Sequence, residues 1–229
     1  MPRWAAFVAL LCLAHGAVAD EKKDVVSAAK KLAEKPNYSW RVTTKIDGGT
    51  SNWRPGPVDG KAEKNGYIHF TGSLGDNNYE VAIKGDKQAI KRNETWESAD
   101  ELQGENEWIG RRLKAFKTPT TEAEDLASKV KELKKSDGGL YFGDLTETGI
   151  KEMFARGRRT ATDPKNPKGW AKFWVKDGLL VKYEYNLQGT ITVGDDPREI
   201  ELNRTTTVEI KDVGSTKIPL PEEAKKKLS

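Results

Sequence analysis

Chemistry in this sequence would have to come from a short inventory of side chains. It holds two histidines, His15 and His69, one cysteine, Cys12, and 35 Asp and Glu residues. A Cys–His nucleophile or a Cys/His zinc site needs those residues at close quarters. Cys12 and His15 fall in an opening segment that reads as a removable leader, so the mature chain keeps only His69. His69 stands within "YIHFTGSL", in mid-strand and without the sharp elbow that presents a serine nucleophile. It is therefore expected on the polar face of that strand. "GTSNWRPGPVDG" carries glycines in loop chemistry only and no phosphate-cradling pattern. Paired carboxylates for glycoside hydrolysis stay open, because spacing along the chain says little about spacing across a fold. The chain is expected to be no enzyme, with no metal and no cofactor.

Two basic clusters could bind anions. Arg111, Arg112, Lys114 and Lys117 lie near Trp108 and Phe116, and Arg156, Arg158 and Arg159 form the second. Basic residues interleaved with aromatics can grip nucleic acid, but an exported chain has little access to it, so no nucleic-acid partner is expected. An anionic envelope surface is the better match for such charge. With 39 Lys and Arg against 35 Asp and Glu, the net charge of +4 singles out no partner by itself.

Export is read from the opening "MPRWAAFVALLCLAHGAVAD". Arg3, an apolar run from Ala5 to Ala14, and the small pair Ala17 and Ala19 make a secretory signal peptide with cleavage after Ala19. The run is too short to cross a bilayer of ~30 Å as a helix. Leu11 precedes Cys12, whereas a lipidated cysteine follows a small residue, so lipidation is not expected. The domain organisation is thus residues 1–19 as leader and 20–229 as one domain, periplasmic or secreted, and monomeric. Residues 20–229 contain no cysteine, so the fold must be held by its core. The triplets at Asn37, Asn93 and Asn203 fit the glycosylation pattern and would matter only on a eukaryotic secretory route.

The elements follow from periodicity. "DEKKDVVSAAKKLAEKP" sets Val25, Ala28, Ala29 and Leu32 at helical spacing, ended by Pro36. "YSWRVTTKIDGG" switches to period two, with Tyr38, Trp40, Val42, Thr44 and Ile46 on one face. "YIHFTGSL", "NYEVAIKG" and "GDKQAIKR" continue as strands, with Ile68 and Phe70, then Val81 and Ile83, facing inward. Two helices follow: one over "PTTEAEDLASKVKEL", with Thr121 and Glu124 as a capping box, and one over "GDLTETGIKEMFARG", capped by Asp144 and Glu147. "TATDPKNPKG" reads as a loop. In "WAKFWVKDGLLVKYEYNLQGTITV", Ala171, Phe173 and Val175 share a face, and Val181, Tyr183, Tyr185 and Leu187 share one after the Asp177-Gly178 turn. "REIELNRTTTVEIKDVG" repeats the alternation. Alternation this regular belongs to antiparallel sheets with one wet face. The order helix, strands, helices, strands gives an α+β class with helices on one face of a single sheet.

These segments resemble the LolA and LppX superfamily of bacterial lipoprotein carriers. "FWVKDGLLVKYEYNLQG" is similar to its late hairpin, and "TTTVEIKDVGSTKIPLPEEAKKKL" is similar to its final strand and Pro-Glu-Glu ending. The N-terminal helix followed by a Trp-bearing first strand agrees as well. The resemblance implies a strongly bent antiparallel sheet, or incomplete β-barrel, with helices on its concave face. It further implies a cavity for acyl chains of lipids or lipoproteins, without catalysis. No individual ligand residue of that family maps onto a position here.

The residues that would line such a cavity are Trp40, Val42, Phe70, Val81, Tyr183 and Tyr185, all on the apolar parity of their strands. Two outcomes are open for them. In a carrier they leave room for a lipid or a lipoprotein acyl chain. In an envelope interaction or regulatory module of the same fold they pack as filled core and bind no ligand.

Overall fold

A computed structural model describes residues 18–48, 55–74, 77–92, 94–156, 163–193 and 198–229. Residues 1–17 of the expected 1–19 leader lie outside these residues, as do Asn93, Arg158 and Arg159. The first element, α1 (Val18–Ala33), buries the stripe read from the sequence: Val25, Ala28, Ala29 and Leu32 are all buried. Such a stripe of small and branched side chains lets a helix lie close on a sheet.

Six strands follow: β1 (Asn37–Ile46), β2 (Val58–Glu63), β3 (Ile68–Leu74), β4 (Asn77–Lys84), β5 (Lys87–Arg92) and β6 (Thr95–Ser98). After α2 (Glu107–Lys114) and α3 (Pro119–Lys129) come the short strands β7 (Lys134–Ser136) and β8 (Leu140–Asp144), then α4 (Glu147–Ala155). The chain ends with β9 (Lys165–Lys176), β10 (Leu179–Val193), β11 (Arg198–Lys211) and α5 (Glu222–Lys227). All eleven strands join one antiparallel sheet in the order β6-β5-β4-β3-β2-β1-β11-β10-β9-β8-β7, so β1 and β11 sit together at its centre. The sheet is open, with β6 and β7 at its two edges. The class is α+β.

The hairpin of β9 and β10 turns where the sequence placed it. Asp177 and Gly178 both adopt positive φ, 51° and 72°, the backbone a tight two-residue hairpin turn requires. Register then shifts between Leu180 and Lys182, a bulge that doubles one position. Leu180, and not Val181, therefore joins the buried face with Tyr183, Tyr185 and Leu187. Strict alternation from the turn misplaces Val181 because a bulge resets the parity.

Other boundaries differ for local reasons. Thr118 caps α3 by accepting from the Thr121 amide, and Pro119 takes the first turn, where its missing N–H costs nothing. Thr146, not Asp144, caps α4, because Asp144 is still paired within β8 opposite Trp170. Val130 and Leu133 lie beyond α3 and are nonetheless buried. "KNPKG" is the start of β9 and not loop, and "VDG" opens β2.

Helices are not confined to one face. Residues from α1 through α4 pack on the inner face, in one core with Trp40, Phe70, Val81, Phe173, Tyr183 and Val208. The C-terminal segment crosses to the other side. There Leu220, Ala224 and Leu228 cover Ala82, Ala89 and Trp96 in a second, smaller core. These strand residues have the parity opposite to Val81 and Ile90, so α5 seals the outer surface of β4–β6. His69 also faces outward, its Nε2 2.7 Å from Glu80 Oε1 on the neighbouring strand.

Candidate functional site

Between the inner face and helices α2 to α4 lies a cavity of ≈ 380 Å³ that opens to solvent. Strands β1, β10 and β11 supply Trp40, Val42, Tyr183, Tyr185, Leu187 and Leu202 to its floor; β2 to β4 add Val58, Phe70 and Tyr79. Phe116, Met153 and Phe154 face them from the helical side. A wall drawn from six strands means that the sheet curls around this space. The volume is that of a small-molecule pocket, for which ~300–1,000 Å³ is usual.

Two glycines shape the floor. Gly60 pairs with Trp40 across β1 and β2, and a Cβ added there would lie 2.1 Å from the indole ring. The Trp40 ring therefore lies over the β2 backbone, a position that only glycine beneath it permits. Gly72 stands in the same relation to Tyr79, whose hydroxyl would meet a Cβ at 2.4 Å. Rings laid along the sheet, rather than standing up from it, leave space above them. Phe70 stacks on Phe116 of the α2–α3 connection, with ring centroids 4.8 Å apart.

The polar part of the wall is mostly paired. Tyr183, fully buried, donates its hydroxyl to Glu122 Oε2 at 2.6 Å. Arg156 donates from Nη1 to Glu122 at 2.9 Å and from Nη2 to Asp125 at 2.7 Å. Asp125 also pairs with Lys117 and Lys129 at 3.0 and 2.9 Å. Burial acts to raise the Asp125 carboxyl, but hydrogen bonds from Lys129 and Lys117 outweigh it and hold the group below its usual range. Burial, with Glu122 alongside, pushes the Tyr183 hydroxyl well above its ordinary value, and burial raises Tyr185 to about 12. Both phenols are neutral at physiological pH.

Arg112 differs from the other basic residues of its cluster. Arg111 pairs with Glu107, Lys114 with Asp100 and Lys117 with Asp125. Arg112 makes no ion pair with a carboxylate among the described residues; its guanidinium lies over the Trp108 ring at 5.3 Å. It lines the cavity together with Arg204 of β11. Although the residue reaches solvent, partial desolvation of the guanidinium first, and the charge of Arg204 second, lower its pKa. The four basic residues that cluster in sequence thus do not form one basic surface.

Of the six residues expected at a site, Trp40, Val42, Phe70, Tyr183 and Tyr185 stand in the cavity wall. Val81 does not: it is 1% exposed and belongs to the packed core beyond Phe70, its partner across β3 and β4. Strand parity assigns a face, but the helices decide which part of that face stays uncovered. Among the polar residues of the wall, Glu122 and Arg204 are the ones missed from sequence. Arg204 had a visible signal, because it falls on the apolar parity of Leu202, Thr206 and Val208. An inward arginine on a strand is costly unless it meets a partner or solvent.

Glu122 is the only carboxylate of this wall among the described residues. Hydrolysis by an acid pair requires a second carboxyl across the reacting bond; Asp125 instead turns to Lys117, Lys129 and Arg156. No three His, Cys, Asp or Glu side chains among the described residues are grouped to hold a metal ion.

No protein-family model and no curated protein match the chain. Its fold is similar to that of solved structures. Lipoprotein LppX of Mycobacterium tuberculosis matches over 87% of this chain and 98% of its own, at 13% identity and a TM-score of 0.49. LprF of Mycobacterium bovis matches over 90% and 98%, at 11% identity and a TM-score of 0.45. A LolA superfamily protein of Nitrosomonas europaea matches over 88% and 94%, at 7% identity and a TM-score of 0.36.

Proposed function

We propose that this chain is an exported binding protein without catalytic activity, which shelters an apolar ligand, a lipid or a lipoprotein acyl chain, between its sheet and helices. Signal peptidase removes residues 1–19, and residues 20–229 act as a monomeric domain in the periplasm or outside the cell. The observation that supports this is the open cavity of ≈ 380 Å³ above Trp40, Val42, Phe70, Tyr183 and Tyr185. An interaction module with a filled core would pack these side chains to interior density, leaving few voids larger than a water molecule. The space above them favours the carrier.

Mass spectrometry of lipid extracted from protein purified out of its native envelope tests the proposal. A stoichiometric lipid is expected. A fluorescent fatty acid added to delipidated protein should bind saturably and quench tryptophan emission, since Trp40 lies in the cavity wall. No co-purified lipid and no saturable binding at high micromolar concentration would leave the filled-module reading in its place.

A further inference from the structure

The outer face of the sheet changes character along its width. Over β4–β6 it is sealed by α5, which covers Ala82, Ala89 and Trp96. Across the centre basic side chains meet acidic ones: Arg41 pairs with Asp59, and Lys211 with Glu209. Over β8–β10 it is apolar and cationic at once. We infer that this part of the outer face docks on an anionic lipid bilayer, with its lysines against the phosphates and its tryptophans in the head-group layer.

Two observations carry this. The first is an alternation on β9: Lys168, Trp170, Lys172, Trp174 and Lys176 share one face, opposite in parity to the buried Ala171 and Phe173. Register sets Leu140 and Phe142 of β8 beside them on one side and Lys182 of β10 on the other. Both tryptophans are half-buried, Phe142 is 38% exposed, and neither hydrophobic core includes these rings or Leu140. The second is charge. Lys168, Lys172, Lys176 and Lys182 make no ion pair among the described residues. Lys172 and Lys182 instead lie over the rings of Trp170 and Trp174, with Nζ 4.5 and 4.7 Å from the centroids. The carboxylates opposite them in register are engaged: Glu184 accepts from Thr207, and Glu209 pairs with Lys211. Asp144, opposite Trp170, is the remaining acid of these strand positions. Indole, with its polar N–H, and lysine, with its apolar stem, both suit the boundary between water and hydrocarbon. Each lysine near an anionic surface strengthens binding about fivefold. A protein partner is the poorer match, because protein interfaces favour arginine and deplete lysine.

Co-sedimentation with vesicles tests the inference. At low salt the purified protein should bind vesicles of phosphatidylcholine and phosphatidylglycerol in equal parts at least about tenfold more tightly than phosphatidylcholine alone, and added salt should weaken that binding. Lys172→Gln combined with Lys182→Gln should weaken it at least about tenfold, with the thermal unfolding midpoint nearly unchanged. Brominated phosphatidylglycerol should quench tryptophan emission, and a protein carrying Trp170→Phe and Trp174→Phe should lose most of that quenching. Hexadecanoate binding should be the same in all of these variants, because the cavity lies on the opposite face of the sheet; the docking surface and the proposed binding role therefore fail separately. Equal binding to the two kinds of vesicle, or binding undiminished in the double-lysine variant, would overturn the inference. Heparin bound as tightly as the anionic vesicles, without quenching by the brominated lipid, would overturn it too, in favour of a site for soluble polyanions.

Discussion

Tyr183, in the first half of β10, donates its hydroxyl to Glu122 on α3 at 2.6 Å. The bond joins the longest strand of the sheet to a helix that covers it, and it lies where the cavity floor meets the helical wall. Arg156, just past α4, grips the same carboxylate, so one acidic residue ties two helices and the sheet together.

Tyr183→Ala is therefore expected to lower the unfolding free energy by ~3–5 kcal/mol, as for other buried aromatics. Tyr183→Phe keeps the ring and loses only the hydrogen bond to a charged partner, at ~1.5–3 kcal/mol. Urea unfolding of the three proteins measures both. Equal, small losses below ~1 kcal/mol would show that Tyr183 is not a packed anchor.

Gly60→Val tests the aromatic floor. A side chain at Gly60 collides with the Trp40 ring in its present position, so the indole must swing away. Overpacking of this kind costs ~1–3 kcal/mol. The variant should be destabilised by that amount and show red-shifted emission as Trp40 gains water. Unchanged stability and emission would mean that Trp40 does not depend on the space above β2.

Asp125 predicts an acid response. Its native carboxyl lies below its unfolded value of ~3.9, because Lys129 and Lys117 outweigh the effect of burial. The folded state then binds fewer protons than the unfolded one. The stability it contributes is present above ~pH 5 and is lost as pH falls through ~4 and on through the native value. Asp125→Asn should cost on the order of 1 kcal/mol at pH 7, since the carboxylate is only partly shielded. That gap should shrink between pH 5 and pH 3; a gap constant to pH 3 would contradict the ion-pair assignment.

Much of this was legible from pattern, for identifiable reasons. Val25, Ala28, Ala29 and Leu32 are buried as their spacing requires, because a single helical stripe has only one way to meet a sheet. The positive-φ pair Asp177 and Gly178 fixed the main hairpin from two letters. Short edge elements were not legible: β7, "KKS", is wholly exposed and carries no alternation to detect. The outer packing of α5 was hidden because Ala82 and Ala89 are small and read as neutral positions. Parity placed all six expected residues on the inner face, but it could not tell cavity wall from packed core. Val81 lies in the core while the other five line the cavity, because only the placement of the helices separates the two.

That separation gives the last prediction, which compares two tryptophans. Val42 lines the cavity and is half-buried, so an indole there extends into open space. Val42→Trp should leave the unfolding midpoint nearly unchanged and weaken fatty-acid binding at least about tenfold, a loss of ~1.4 kcal/mol or more in affinity. Val81 lies behind the wall with no comparable room. Val81→Trp should overpack the core at ~1–3 kcal/mol, and the protein that still folds should bind with wild-type affinity. Calorimetric titration beside thermal unfolding distinguishes the two. If Val81→Trp abolishes binding while Val42→Trp leaves it intact, the ligand occupies some other space, and the floor built by Trp40, Val42 and Tyr183 is core and not cavity.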